Sequence, residues 1–182
     1  VTVLDTYGPG TTANGSRWSL YNELEAIDPA ARTAQNLAVA FSLASATTID
    51  SVLSSIKGTG TVNLQILTDV ASSPSGAVLF ATSLVNPTEN GLVSGIGLNL
   101  AAGNYWLTAR TSAGFQGEWQ GGPSASSTVW AWTSGADTST WLVTNSDDAP
   151  AVRISAVPEP ASWLLMLGGA GLIGLQLRRR AA

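Results

Sequence analysis

Short segments in which apolar and polar residues alternate recur through the first 156 residues, separated by turn-forming residues. The segment QNLAVAFSL places Leu37, Val39, Phe41 and Leu43 on one face, with the period of a half-buried strand. Before residue 157 no segment has a convincing helical period. The pattern predicts an all-β body, an antiparallel β-sandwich of jelly-roll or immunoglobulin-like type.

We expect roughly nine to eleven short strands in this body. The predicted strands are 1–5, 17–21, 35–43, 49–56, 61–68, 78–84, 92–100, 105–111, 128–133, 141–144 and 151–156. Turn residues at 57–60 and 101–104 predict two hairpins. Residues 22–34, which Pro29 interrupts, and the glycine-rich segment 112–127 are predicted to be loops.

The chain contains neither cysteine nor histidine. Disulfides, thiolate sites, histidine-ligated zinc and the Ser-His-Asp triad are therefore excluded. Residues 1–156 carry five basic against eleven acidic residues, a formal net charge of −6. Such a surface makes nucleic acid an improbable partner.

Residues 161–177 carry no charged side chain and are followed by Arg178, Arg179 and Arg180. A helix of this length spans about 25 Å, just enough to cross a bilayer with local thinning. The arginines favour a cytoplasmic C-terminus, with the body on the other side of the membrane. An amphipathic surface helix is the alternative, which the uniformly apolar run disfavours.

The order of these features also carries a resemblance. Pro158, Glu159 and Pro160, then a glycine-rich apolar helix, then three arginines near the end resemble the PEP-CTERM sorting signal of Gram-negative bacteria. The resemblance implies an exosortase, a membrane-embedded transpeptidase-like protease, as partner, with the Pro-Glu-Pro residues as its recognition motif. It also implies delivery to the envelope or extracellular matrix. Because the chain starts at Val1 and its one methionine is Met166, we expect that a secretory signal peptide has been removed.

The implied domains are an extracytoplasmic β-sandwich over 1–156, a linker over 157–160, a transmembrane helix over 161–177 and a basic tail over 178–182. Within the helix, Ala170 and Gly174 lie one turn apart with Gly171 beside them, a pattern that lets a second helix pack closely. The alternative is that these glycines serve only the sorting protease. Between residues 34 and 110, the segments SPSGAVLFATSL and LNLAAGNYWLTA resemble choice-of-anchor sandwich domains, which supports the fold but implies no chemistry.

Tryptophans are the leading candidates for ligand contact in the body. Trp119, Trp130 and Trp132 could stack against sugar rings, and Trp130 and Trp132 share one strand face. We expect Trp119 to be exposed because glycines flank it, and Trp106 to be in the core. The alternative is that all of them pack the core of a domain without disulfides.

Acidic residues are weaker candidates. Asp69, Asp147 and Asp148 could supply oxygens to Ca²⁺, but none has the spacing of a calcium loop, and capping of turns is the default role. Glu118 is a single carboxylate in an aromatic setting, and glycoside hydrolysis needs a pair. We expect no catalytic residue, metal or cofactor.

The sequence therefore predicts a non-enzymatic, membrane-anchored protein of the bacterial envelope or matrix that acts in adhesion or polysaccharide association. Its expected location is the inner membrane, with one membrane span, a periplasmic body and release to the surface or matrix after processing. The alternative is an accessory structural subunit of an inner-membrane complex, such as a respiratory, photosynthetic or secretion assembly. In that case its helix holds it in place and the body contacts partner proteins in the periplasm.

Overall fold

The computed structural model describes residues 1–13, 15–24, 31–124, 127–146 and 148–157. Over these ranges the chain forms fourteen strands and one short 3₁₀ turn, Pro9–Thr11. The strands are β1 Thr2–Asp5, β2 Arg17–Leu24, β3 Arg32–Gln35, β4 Leu37–Leu43, β5 Thr47–Ser54, β6 Ile56–Thr59, β7 Thr61–Thr68, β8 Val78–Val85, β9 Gly91–Leu100, β10 Gly103–Thr111, β11 Gln116–Gln120, β12 Val129–Trp132, β13 Leu142–Asn145 and β14 Val152–Ala156. The body is thus all-β, as the alternating pattern predicts.

The strands form three antiparallel sheets. The first sheet has the order β1-β14-β5-β9, the large sheet β13-β12-β4-β10-β7-β8, and the corner sheet β3-β2-β11-β6. One hydrophobic core joins them, with Ile49 and Ile154 from the first sheet, Val39 and Leu107 from the large sheet, and Leu20 from the corner sheet. The architecture is a β-sandwich with an additional corner sheet, while the jelly-roll or immunoglobulin-like topology stays a prediction.

At three bends a single residue separates consecutive strands that lie in different sheets; these residues are Asn36, Ser55 and Gly60. Asn36 is the one residue between β3 of the corner sheet and β4 of the large sheet, and Ser55 is the one residue between β5 and β6. Both residues are buried, so their polar groups need partners inside the protein. These bends make the corner sheet continuous with both layers of the sandwich.

The Asn36 side chain binds two other segments at its bend. Its Nδ2 donates to Thr133 Oγ1 at 3.0 Å, and its Oδ1 accepts from Thr111 N at 2.8 Å and from Thr111 Oγ1 at 3.0 Å. Its backbone oxygen accepts from Thr133 N at 3.0 Å. One buried amide therefore ties together the bend, the end of β10 and the segment after β12.

Ser55 is held by a similar junction on the other side of the corner sheet. Its Oγ donates to the Gln120 oxygen at 3.1 Å, and its backbone N donates to the Ala151 oxygen at 3.2 Å. Ala151 N in turn donates to the Gln120 oxygen at 2.7 Å. The end of β11 and the start of β14 thus meet at this bend.

Both predicted hairpins are wrong. Residues 57–59 belong to β6, which pairs with β11, and β5 and β7 lie in different sheets. In the same way β9 pairs with β5 in the first sheet, whereas β10 pairs with β4 and β7 in the large sheet. At both places the chain crosses between layers, and a short run of turn residues is compatible with either outcome.

Two segments predicted to be loops contain strands. Residues 22–24 extend β2, and residues 32–34 form most of β3, which pairs with it. The glycine-rich segment 112–127 contains β11, the strand between β2 and β6. Gly58 and Gly117 are needed there, because a Cβ on Gly117 would lie 2.3 Å from the Lys57 oxygen and 2.9 Å from the Phe115 ring.

We predict that Asn36→Ala lowers the free energy of unfolding by about 1–3 kcal/mol, because Thr111 N loses its acceptor and Thr133 Oγ1 loses one of its two donors. The matched control is Asn145→Ala, which removes an exposed amide from the edge strand β13 and is expected to change stability by less than about 0.5 kcal/mol. Denaturant unfolding followed by tryptophan fluorescence measures both. Equal losses for the two variants would contradict the role given to Asn36.

Candidate functional site

The body ends where β14 leaves the first sheet, between β1 and β5. The Val1 ammonium donates to the Ala156 oxygen at 2.8 Å, and Ala156 N donates to the Val1 oxygen at 2.7 Å. On the other side, Val157 N donates to the Thr48 oxygen at 3.0 Å. The segment that follows is therefore connected to a strand that is fixed on both sides up to its last residue.

The remaining site residues predicted for this segment lie outside the described residues. These are Pro158, Glu159, Pro160, Ala170, Gly171, Gly174, Arg178, Arg179 and Arg180, together with the predicted transmembrane helix 161–177. Within the part of the chain that the structure describes, no helix has the length and apolar character to cross a membrane.

The prediction that Trp119 is exposed is wrong. Its side chain is 0 % exposed, on the core face of the corner sheet, and its Nε1 donates to the Ala151 oxygen at 2.9 Å. Phe115, Gly117 and Trp119 alternate with Gln116 and Glu118, so the segment has the period of a strand that the glycines obscure. Trp106, 1 % exposed, is in the interior as predicted.

Trp130 and Trp132 do share one face of β12, with ring centroids 5.1 Å apart. Trp130 is only 2 % exposed, however, since Trp18 of the corner sheet covers it at 4.4 Å. Its Nε1 donates to Ser146 Oγ at 2.9 Å, and Trp18 Nε1 donates to the Asp148 oxygen at 2.7 Å. This cluster packs the corner sheet on the large sheet, and only Trp132, half-buried, remains available for stacking.

We predict that Trp119→Ala lowers the free energy of unfolding by about 3–5 kcal/mol, because it removes a fully buried indole and leaves a cavity. Trp132→Ala, at a half-buried position, serves as the comparison and is expected to cost about half as much. Denaturant titration measures both values. A smaller loss at Trp119 than at Trp132 would show that the packing role belongs to the other indole.

A cavity of about 420 Å³ opens where the ends of several strands meet. Its position is fixed by β4 and β10 of the large sheet, by β1 of the first sheet and by the segment leading into β12. Both polar and apolar side chains line it, and the volume is in the range of small-molecule sites. The lining residues are Val3, Leu4, Ala40, Phe41, Ser42, Asp69, Ser72, Asn104, Tyr105, Trp106, Ser127, Thr128 and Val129.

Among the described residues, Asp69 is the one carboxylate in the cavity lining, and the protein holds it in place. Its Oδ1 accepts from Trp106 Nε1 at 2.6 Å, and its Oδ2 accepts from Ser72 N at 3.2 Å. Asp69 thus has the turn-capping role that was the default expectation. Among the described residues no three His, Cys, Asp or Glu side chains are grouped to hold a metal ion.

Glu118 lies away from the cavity, on the exposed face of the corner sheet. Its Oε1 is 3.1 Å from Lys57 Nζ, and its Oε2 is 3.6 Å from Arg17 Nη1. Lys57 is also 3.8 Å from Glu89 Oε2. The pairs are partly exposed, so each contributes little to stability, and the arrangement is that of a surface charge network.

The outer face of the large sheet has its own small cluster, in which Trp141 covers Trp106, Ala38 and Ala131. Arg110 lies beside it, with its guanidinium carbon 5.2 Å from the centre of the Trp141 ring. Burial lowers the pKa of the Arg110 guanidinium below its ordinary value. The contact with the indole face offsets part of the cost of this burial.

Comparison with known protein families gives one match. Residues 156–180 match the family model of the PEP-CTERM protein-sorting motif. The match supports an exosortase substrate: the motif implies processing by an exosortase-like protease and association with a membrane, and it suggests a membrane-anchored or cell-surface protein. No curated protein and no solved structure matches the chain. The matched segment begins at the last residue of β14, so the body and the sorting segment adjoin directly.

Proposed function

We propose that this chain is a non-enzymatic envelope protein whose β-sandwich is carried by its C-terminal segment and associates with extracellular polysaccharide or matrix. The observation that carries the proposal is the sorting motif at 156–180, attached directly to the last strand of the body. A body with no disulfides and a formal charge of −6 is compatible with such a location, because a net charge far from zero favours solubility.

In this proposal the membrane span is 161–177, the body is periplasmic and the arginines are cytoplasmic. The positive charge of Arg178–Arg180 supports this orientation. Pro158, Glu159 and Pro160 are residues that a protease recognises, and they take no part in catalysis. Release to the surface or matrix follows processing.

We predict that Glu159→Ala blocks processing, so that the uncleaved chain accumulates in the membrane fraction of cells that contain the sorting protease. Glu23→Ala is the matched control, since Glu23 is an exposed residue of β2 remote from the motif, and it is expected to behave like the unaltered chain. Fractionation and immunoblotting follow both forms. Recovery in the cytosol, or in a soluble form with no membrane or matrix association, would contradict the proposal.

For the ligand, we assign polysaccharide association to the cavity between β4, β10 and the segment before β12. Ser42, Asn104 and Thr128 offer hydroxyl and amide groups at its rim, while Ala40 and Val129 offer apolar contact. Hydroxyl-rich ligands with apolar ring faces need this mixture of groups. We assign the ligand to this cavity and not to the predicted stacking residues Trp119, Trp130 and Trp132, because Trp119 and Trp130 are engaged in packing.

We predict that Ser42→Trp weakens binding to extracellular polysaccharide purified from the same cells by at least about ten-fold, a change of about 1.4 kcal/mol. Ser42 is exposed at the cavity, so a larger side chain there fills the cavity without disturbing the core. Ser94→Trp, at an exposed position of β9 outside the cavity, is the control. Cosedimentation measures binding, and equal affinities for the two variants would remove the cavity from the proposal.

The accessory-subunit alternative stays a prediction. The residues predicted to pack against a partner helix, Ala170, Gly171 and Gly174, lie outside the described residues. Native purification in mild detergent tests it through the presence or absence of co-purifying subunits.

A further inference from the structure

Strand β8 forms one edge of the large sheet, and it is unusual among the edges of this protein. Its sequence, VLFATSLV, contains no charged residue and no proline, and none of its residues has a positive φ. Val78 and Val85 are 51 % and 69 % exposed. A long apolar edge of this kind is a template for pairing with another strand.

The phase of the β7–β8 ladder shows which peptide groups are free to pair. Asn86 N donates to the Gly60 oxygen at 2.8 Å, and the same register continues from Val85 back to Phe80, before it shifts near the start of β8. Because hydrogen-bonded pairs alternate along an antiparallel ladder, Phe80, Thr82 and Leu84 bond to β7. Ala81 and Ser83 therefore direct their N–H and C=O groups away from the sheet, where no described strand pairs with them.

The other edges are protected in ways that natural sheets commonly use. Strands β1, β3, β6 and β13 have only four residues each. The remaining edge, β9, is longer, but Gly95 and Gly97 have positive φ and the register with β5 shifts there. The register of β8 with β7 shifts only near its start, between Phe80 and Val78. Among the described edge strands, β8 is thus the long one in which the run Phe80–Val85 has neither a positive φ nor a register shift.

We propose that β8 pairs with β8 of a second copy of this chain, antiparallel and with the two-fold axis at Thr82. This register places Ala81 opposite Ser83 of the other copy. The N–H and C=O groups of each Ala81 then bond to those of Ser83 in the other copy, so that two hydrogen-bonded pairs form, one on each side of the axis. The register also places Phe80 opposite Leu84 on the core face, where both side chains are only partly buried within one copy. The two large sheets then form one continuous sheet of twelve strands.

The uncharged and self-complementary sequence of β8 argues for a second copy as the occupant. Two bodies that each carry −6 repel one another, so a contact between copies needs a surface where no like charges meet. The β8 edge has no charge of its own, and the antiparallel register is self-complementary, with an apolar pair on each side of the axis. The ladder supplies the affinity through main-chain hydrogen bonds, as in other cases of strand addition.

Cross-linking tests the register directly. The chain has no cysteine, so Thr82→Cys introduces a single thiol. At the proposed axis the two Cα atoms form a non-hydrogen-bonded pair about 4.5 Å apart, which is within the range for a disulfide. Under mild oxidation of the full chain in detergent, we expect a covalent dimer from Thr82→Cys and none from Ser94→Cys, the control on β9.

Sedimentation of the full chain without cross-linking is the second measurement. Ala81→Lys puts a charge at the edge while leaving the bonds to β7 intact, and we expect it to be monomeric. Ala44→Lys, an equal charge in the exposed turn before β5, is expected to remain dimeric. A monomeric unaltered chain, a dimer that Ala81→Lys does not dissociate, or equal cross-linking at Thr82 and Ser94 would overturn the proposal.

Discussion

The buried amide of Asn36 is the interaction on which the layered arrangement depends. At this residue the chain leaves the corner sheet and enters the large sheet, and bonds to Thr111 and Thr133 fix the direction that it takes. An apolar residue would fill the space but would leave Thr111 N without its acceptor and Thr133 Oγ1 with one donor fewer. Together with Ser55, Asn36 gives a body without disulfides two fixed bends, and the shared core between the three sheets follows from them.

Strand positions are largely readable from the sequence because alternation is a local property. Most of the predicted strand 35–43 forms β4, Leu37–Leu43, and all four residues of its apolar face are buried. Which strands pair with each other is harder to predict from the sequence, since the turn residues near Gly60 and Gly103 fit a crossover between sheets as well as a hairpin. The sheet that a strand joins is decided by contacts distant in sequence, such as those of Asn36 with Thr111 and Thr133, which single-sequence periodicity does not contain.

The two parts of the candidate site differ in the same way. The sorting motif is linear, so the order of its residues along the chain is enough to identify it. The cavity is lined by side chains from separate segments, between Val3 and Val129, that the fold brings together, so no local sequence pattern predicts it. The prediction for Trp119 failed for another reason. Glycines near a residue are typical of a loop, but here Gly117 lies within a regular strand, where it leaves room for the Phe115 ring.

In the proposed function, the position of β14 determines how tension from the membrane would reach the body. A protein held at its C-terminal end and attached to a moving matrix is pulled through Val157, the first residue after β14. Because β14 is bonded to β1 on one side and to β5 on the other, drawing it out means breaking two ladders, whereas an edge strand would be released from one. The fold thus places its attachment point on a strand that resists mechanical extraction.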